Sequence, residues 1–246
     1  MAESFVFRDA AGRELTARDL EGFSGQVGWE IADAGTVPGE AVQLHQEARL
    51  AGARGDYRSA LVFLDRARAL APDWPYPIYD AAFTYLLQGD TEAAEELYAE
   101  VDLMAPRGFF TCKTTLDCLR QEHAGALPAG FSRTFTALEW LDDAAQKKAV
   151  LETMVDAYPA FGPAWKELSA LLDDPDERLH AITRGLEADP DPETRGILLI
   201  NRALILDQRR ERAEAIAILG ELALDPASTL ATETLAKATL AQLVGM

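Results

Sequence analysis

Small and apolar residues recur at helical spacing along most of the chain. Ala60, Leu64, Ala67 and Leu70 fall three or four residues apart, so they share one face of a helix, with small residues where two helices would approach closely. The pattern returns with a period of 34 residues: Gly55 recurs as Gly89, Ala60 as Ala94 and Pro72 as Pro106. A shorter version follows, in which WLDDAAQKKAVLETMVDAYP (140–159) aligns with LLDDPDERLHAITRGLEADP (171–190), a spacing of 31. A last unit, ILLINRALILDQRRERAEAIAILGELALDP, closes at Pro226, 36 residues beyond Pro190. Periods of this size mark stacked supersecondary units.

Each unit predicts two amphipathic helices joined by a tight turn. Gly55 and Gly89 supply the left-handed backbone that ends a first helix, and Asp56 and Asp90 follow as N-caps of the second. In the later units Asp143 and Asp174 take the capping role, and Pro175 suits a first helical turn. Pro72, Pro106, Pro159, Pro190 and Pro226 stop the second helices. The chain is therefore expected to be all-α.

These positions resemble the tetratricopeptide repeat, a 34-residue helix-turn-helix unit. Ala60, Leu64, Ala67 and Pro72 match its second helix; Ala94, Tyr98 and Pro106 match the next one, where Val101 is larger than the motif expects. Trp165 and Leu168 match the tryptophan and leucine of a later first helix. The resemblance covers roughly residues 41–226 and implies a right-handed α-solenoid used for binding rather than one chemistry.

On this reading 41–106 hold two units and 132–226 about three of varying length. Residues 107–131 begin like a further unit, with a helix to about His123, but the loop AGALPAG replaces its second helix. A helix over roughly 132–141 then pairs by alignment with 144–157, leaving one helix unpaired. Residues 1–40 form an N-terminal cap with short strands: FVFR (5–8) and RELT (13–16) flank the turn-like DAAG, Thr16 and Asp19 could open a short helix, and QVGWEI (26–31) alternates. Residues 227–246 are expected to form a C-terminal capping helix whose Leu230, Leu235, Leu240, Leu243 and Val244 suggest a homodimer contact.

Composition narrows the role. With 41 acidic and 23 basic residues the formal net charge is −18, which argues against nucleic acid and anionic membranes as partners. A hydrophobic content of 48% is too high for disorder. The first residues lack a secretory signal, and no stretch approaches about 18 uncharged apolar residues, so a soluble cytoplasmic protein is expected. Cys112 and Cys118 are too few for a disulfide framework. The basic cluster Arg202, Arg209, Arg210 and Arg212 reads first as ion-pair partners for nearby acids.

No phosphate loop, dinucleotide fingerprint, H-E-x-x-H or nucleophile elbow is present, and His45, His123 and His180 fall in different units. No enzyme, cofactor or metal is expected; Asp142–Asp143 and Asp173–Asp174 read as helix caps. In the family, fixed positions of each first helix face the groove. Counted from Ala41 and Pro75, they include His45, Arg49, Tyr76, Tyr79, Phe83 and Leu86. Tyr76, Tyr79 and Phe83 form an aromatic stripe that serves either as groove anchors or as packing; the sequence does not choose. The family's clamp for acidic C-termini uses Lys, Asn and Arg, whereas these places hold His45, Arg49, Tyr79 and Phe83, and Asn201 is the chain's one asparagine. The expectation is a protein- or peptide-binding scaffold or adaptor with a basic or amphipathic partner. A structural homo-oligomer is the alternative, and an enzyme of unrecognised type the third reading.

Overall fold

A computed structural model describes residues 37–245 and the backbone of 4–9, 14–15 and 27–32. The chain divides into two compact units, Met1–Pro77 and Ile78–Met246.

In the first unit, β1 (Ser4–Asp9), β2 (Glu14–Leu15) and β3 (Val27–Ala32) form an antiparallel sheet in the order β2-β1-β3. Phe7 lies opposite both Leu15 and Trp29. The strands pair chiefly with one another, so the fold does not support the capping role expected of this segment. The expected turn at DAAG and the short helix opened by Thr16 and Asp19 lie outside the described residues.

Two helices follow, α1 (Gly39–Ala53) and α2 (Tyr57–Leu70), and they pack against each other. Gly55 takes φ 77° between them, and the Asp56 carboxylate accepts the Ser59 N–H at 3.2 Å, as the turn chemistry required. Ala41, Leu44, Ala48 and Ala51 are buried on α1, and Ala60, Leu64 and Ala67 on α2. Small residues at the contact let the two backbones approach.

α3 (Pro75–Gln88) begins in the first unit and leads into the second, whose elements among the described residues are all helices. There follow α4 (Thr91–Met104), α5 (Cys112–His123), α6 (Phe131–Ala137) with a 3-10 turn at Leu138–Trp140, α7 (Ala144–Ala157), α8 (Gly162–Ala170), α9 (Pro175–Glu187), α10 (Pro192–Gln208), α11 (Arg212–Leu224) and α12 (Leu230–Val244). From α7 to α12 each helix packs on the next. Asp90, Asp143 and Asp174 cap α4, α7 and α9 through backbone N–H groups, as expected, and Asp191 does so for α10. These aspartates place acidic charge at helix termini, where it opposes the partial positive charge of free N–H groups.

The irregular region resolves differently from a simple missing helix. α6 is short and shares an apolar core with α7 and α8, through Phe131, Leu138, Leu151, Val155, Phe161 and Leu168. α5 is the additional helix. It contacts α4 and α6, and also crosses to α10, about 80 residues away.

The C-terminal helix also folds inward. Leu243 is buried and Leu240 partly buried against a core formed with α10 and α11. Of the residues expected to make a homodimer contact, Leu243 is therefore turned into the chain's own core, while Leu235 and Val244 are exposed. Arg202 pairs with Glu214 at 3.1 Å, Arg209 with Asp176 and Arg212 with Asp207 at 3.9 Å, so the basic cluster is largely neutralised locally.

Candidate partner-binding site

Of the six residues expected to line a groove, His45, Arg49 and Tyr76 belong to the first unit and Tyr79, Phe83 and Leu86 to the second. His45 is buried in the first unit, its ring edge-on to Trp74 at 5.0 Å and to Tyr76 at 5.9 Å. Tyr76 is half-buried in the same cluster. Arg49 is exposed on α1.

In the second unit, the Tyr79 hydroxyl lies 2.9 Å from the Thr111 hydroxyl, and its ring packs on Tyr98, Phe109 and Phe110 at 5.3 to 5.5 Å. Burial pushes the Tyr79 phenol well above its ordinary range, so it remains a neutral hydrogen-bonding group. Phe83 is half-buried and meets Trp140 edge-on at 5.5 Å. Leu86 is fully buried.

His45 and Leu86 are buried, unlike residues open to a partner. Leu86 continues the stripe Ile78–Ala82–Leu86, every member of which is fully buried. His45 falls on the stripe of Ala41 and Ala48 in the same way.

The structure offers a different concavity. A cavity of about 280 Å³ opens between α5, α6, α7 and α8, and none of the six expected residues lines it. Thr111, Thr114, Thr115 and Thr136 supply hydroxyls, Cys118, Phe135 and Leu138 an apolar wall, and Lys147, Lys166, Glu139 and Glu167 the charge. Next in the chain after Leu138 and Glu139 stands Trp140, 53% exposed. An exposed tryptophan held edge-on by a phenylalanine presents a large apolar face already fixed in orientation.

α5, which forms one wall, is held by remote groups. Its own N-cap residue, Thr111, makes no side-chain capping bond. Instead the Glu193 carboxylate of α10 accepts the Lys113 N–H at 3.2 Å through Oε1 and the Thr114 N–H at 3.0 Å through Oε2. Thr114 Oγ1 lies 2.9 Å from Asp191 Oδ1 and 3.1 Å from Glu193 Oε2. Burial, opposed by those N–H bonds and reinforced by neighbouring Asp191, pushes the Glu193 carboxyl up to about 8. Just upstream, the Arg107 carbonyl accepts the Leu230 N–H at 2.8 Å, and the Arg107 guanidinium pairs with Glu233. The start of α5 and the N-termini of α10 and α12 form one junction.

Among the described residues no three metal-binding side chains cluster, both cysteines are free thiols, and no helix is long and apolar enough to cross a membrane.

A family model, the tetratricopeptide repeat, matches residues 53–107. No curated protein matches the chain in sequence. Among solved structures, the fold is similar to the flexible tandem repeat domain of a bacterial cellulose synthase component, at 17% identity and a TM-score of 0.50, covering 80% of this chain and 98% of that one. A thermophilic repeat protein of Thermus thermophilus matches at 20% identity and a TM-score of 0.34, over 84% of this chain and all of that one. MamA of Desulfovibrio magneticus matches at 16% and 0.35, over 76% of this chain and 94% of that one. The family model falls on the stretch where the 34-residue period, Gly55, Gly89 and the two aspartate caps coincide. These findings identify residues 53–107 as tetratricopeptide repeat, and the consecutive helix packing of the described residues is similar in fold to a solved repeat domain.

Proposed function

We propose that the protein is a non-catalytic scaffold that holds a protein or peptide partner against its second unit, with Trp140 as the anchor. The observation that carries this reading is the exposed Trp140 ring, set edge-on to Phe83 and next in the chain after two residues that line a cavity. Tryptophan is prominent among the few residues that dominate binding energy at interfaces. Phe83 belongs to the proposed site as the support of that ring, and Arg49, exposed on α1, is a second candidate contact in the first unit. The net charge of −18 favours a basic or amphipathic partner, whose approach long-range attraction accelerates.

The test is affinity purification on immobilised wild-type and Trp140→Ala protein, followed by titration of the strongest specific partner in purified form. The substitution is expected to weaken that partner's binding about 30-fold, the effect of losing an interface hot spot. Because Trp140 is half exposed, urea unfolding of the variant should stay within about 1 kcal/mol of wild type. Equal affinity of both proteins for every recovered partner overturns the assignment of Trp140.

A further inference from the structure

One hydroxyl serves two carboxyls at the junction that holds the start of α5. Thr114 Oγ1 lies 2.9 Å from Asp191 Oδ1, 3.1 Å from Glu193 Oε2 and 3.3 Å from Thr194 Oγ1. Its single proton can be donated to only one of them. Asp191 is 9% exposed, and its Oδ2 is buried with no partner among the described residues. With both carboxyls ionised, two negative charges would share one hydroxyl, and one of them would face its lone pairs. A proton on Glu193 Oε2 completes the set: Glu193 then donates to Thr114 Oγ1, which donates in turn to Asp191 Oδ1.

Among the described residues no cation pairs with either carboxyl. On α5 the Lys113 ammonium pairs with Asp102 of α4 at 2.5 Å, and Asp117 adds a further acid close enough to feel the Asp191 charge. Upstream, Arg107 pairs with Glu233 of α12. Tyr79 of α3 and Cys112 of α5, which also face Glu193, are kept neutral by burial. Between α4 and α5, Gly108 takes φ 96° and Phe110 φ 48°, a left-handed conformation that a bulky residue holds only under constraint. The far end of α5 is tied separately. Glu122 accepts the Gly130 and Ser132 N–H groups at 2.6 and 2.8 Å, and Arg120 and His123 reach Glu95.

We propose that Glu193, Thr114 and Asp191 form a proton-operated clasp, which holds the N-terminal end of α5 on α10 while it carries one proton and releases it when that proton leaves. Burial and the Asp191 charge oppose ionisation of Glu193 more than the Thr114 and Lys113 N–H groups favour it, so the carboxyl is raised to about 8. Opening returns it to water and to its ordinary value, so ionisation favours the open clasp. Release carries Thr111, Thr114 and Thr115 off the cavity wall, so the shape of that cavity follows pH.

Hydrogen exchange of the full chain, read by mass spectrometry from pH 6 to pH 9 and corrected for intrinsic rates, tests this. Protection of the 113–119 amides is expected to fall about 100-fold over that range, the ratio set by a carboxyl that titrates at about 8 when clasped and 4.5 when free. Those amides should also be less protected than the α7 amides at every pH, as a local opening requires. Glu193→Gln cannot ionise and should leave less than about a threefold change. Thr114→Val removes the shared hydroxyl without altering charge, and should lower protection about tenfold at pH 6. Equal protection of 113–119 and α7 throughout overturns the proposal, since α5 would then leave only with the whole fold. It is also overturned by pH-independent protection in wild type, by an undiminished fall in folded Glu193→Gln, or by unchanged protection in folded Thr114→Val.

Discussion

Gly196→Ala is expected to destabilise the protein by about 2–4 kcal/mol, against the intrinsic preference of a helix for alanine. A Cβ at Gly196 would stand 2.2 Å from Thr232 Oγ1, 2.5 Å from its Cγ2 and 2.9 Å from its Cβ. These atoms cannot swing aside cheaply. Thr232 is buried, its hydroxyl lies 2.9 Å from the Thr229 hydroxyl, and its N–H donates to the same oxygen. α10 and α12 must therefore separate, which opens the buried face carrying Ala236 and Leu243. Gly220 on α11 is the internal control, because nothing lies within 4 Å of a Cβ built there. Gly220→Ala should stabilise by up to about 1 kcal/mol, the ordinary helix-propensity gain. Urea unfolding of both variants decides the matter. A Gly196→Ala protein as stable as wild type would mean that α10 and α12 are not in close contact.

The second large effect concerns Glu193 and pH. Its carboxyl is pushed up to about 8 from an ordinary 4.5, so the folded chain binds the proton more tightly than the unfolded chain. The stabilisation from the neutral form is complete below about pH 4.5 and is lost as pH rises through about 8. Between pH 5 and pH 9 this one group should withdraw on the order of 4 kcal/mol of stability. Glu193→Gln imitates the neutral acid and should flatten that part of the pH profile. Glu193→Ala leaves the Lys113 and Thr114 N–H groups without their acceptor and should cost about 2–4 kcal/mol at low pH. The measurement is chemical unfolding at closely spaced pH values. Parallel curves for wild type and Glu193→Gln would show that this carboxyl does not titrate in that window.

What the sequence made legible was local. The glycines at 55 and 89 and the aspartate caps at 56, 90, 143 and 174 act within three or four residues, and a single chain displays such relations directly. Glu193 was invisible as a partner of α5 because D-P-E-T reads as an ordinary helix start, which it also is. The trio of Lys147, Lys166 and Glu167 joins two helices, and no motif spacing announces it. Leu86 is buried for a definable reason: counting along a family template ignored that Ile78, Ala82 and Leu86 already form a continuous apolar stripe. Burial follows that stripe, not the template's register.

Repeat arrays commonly tolerate the gain or loss of whole units, since each unit touches only its neighbours. The bonds from Lys113 and Thr114 to Glu193, and from Arg107 to Leu230 and Glu233, remove that freedom. An inserted or deleted helix pair between 114 and 191 would carry one half of each tie out of reach. The number of repeats between α5 and α10 is therefore part of the fold, as the size of a ring is part of a molecule.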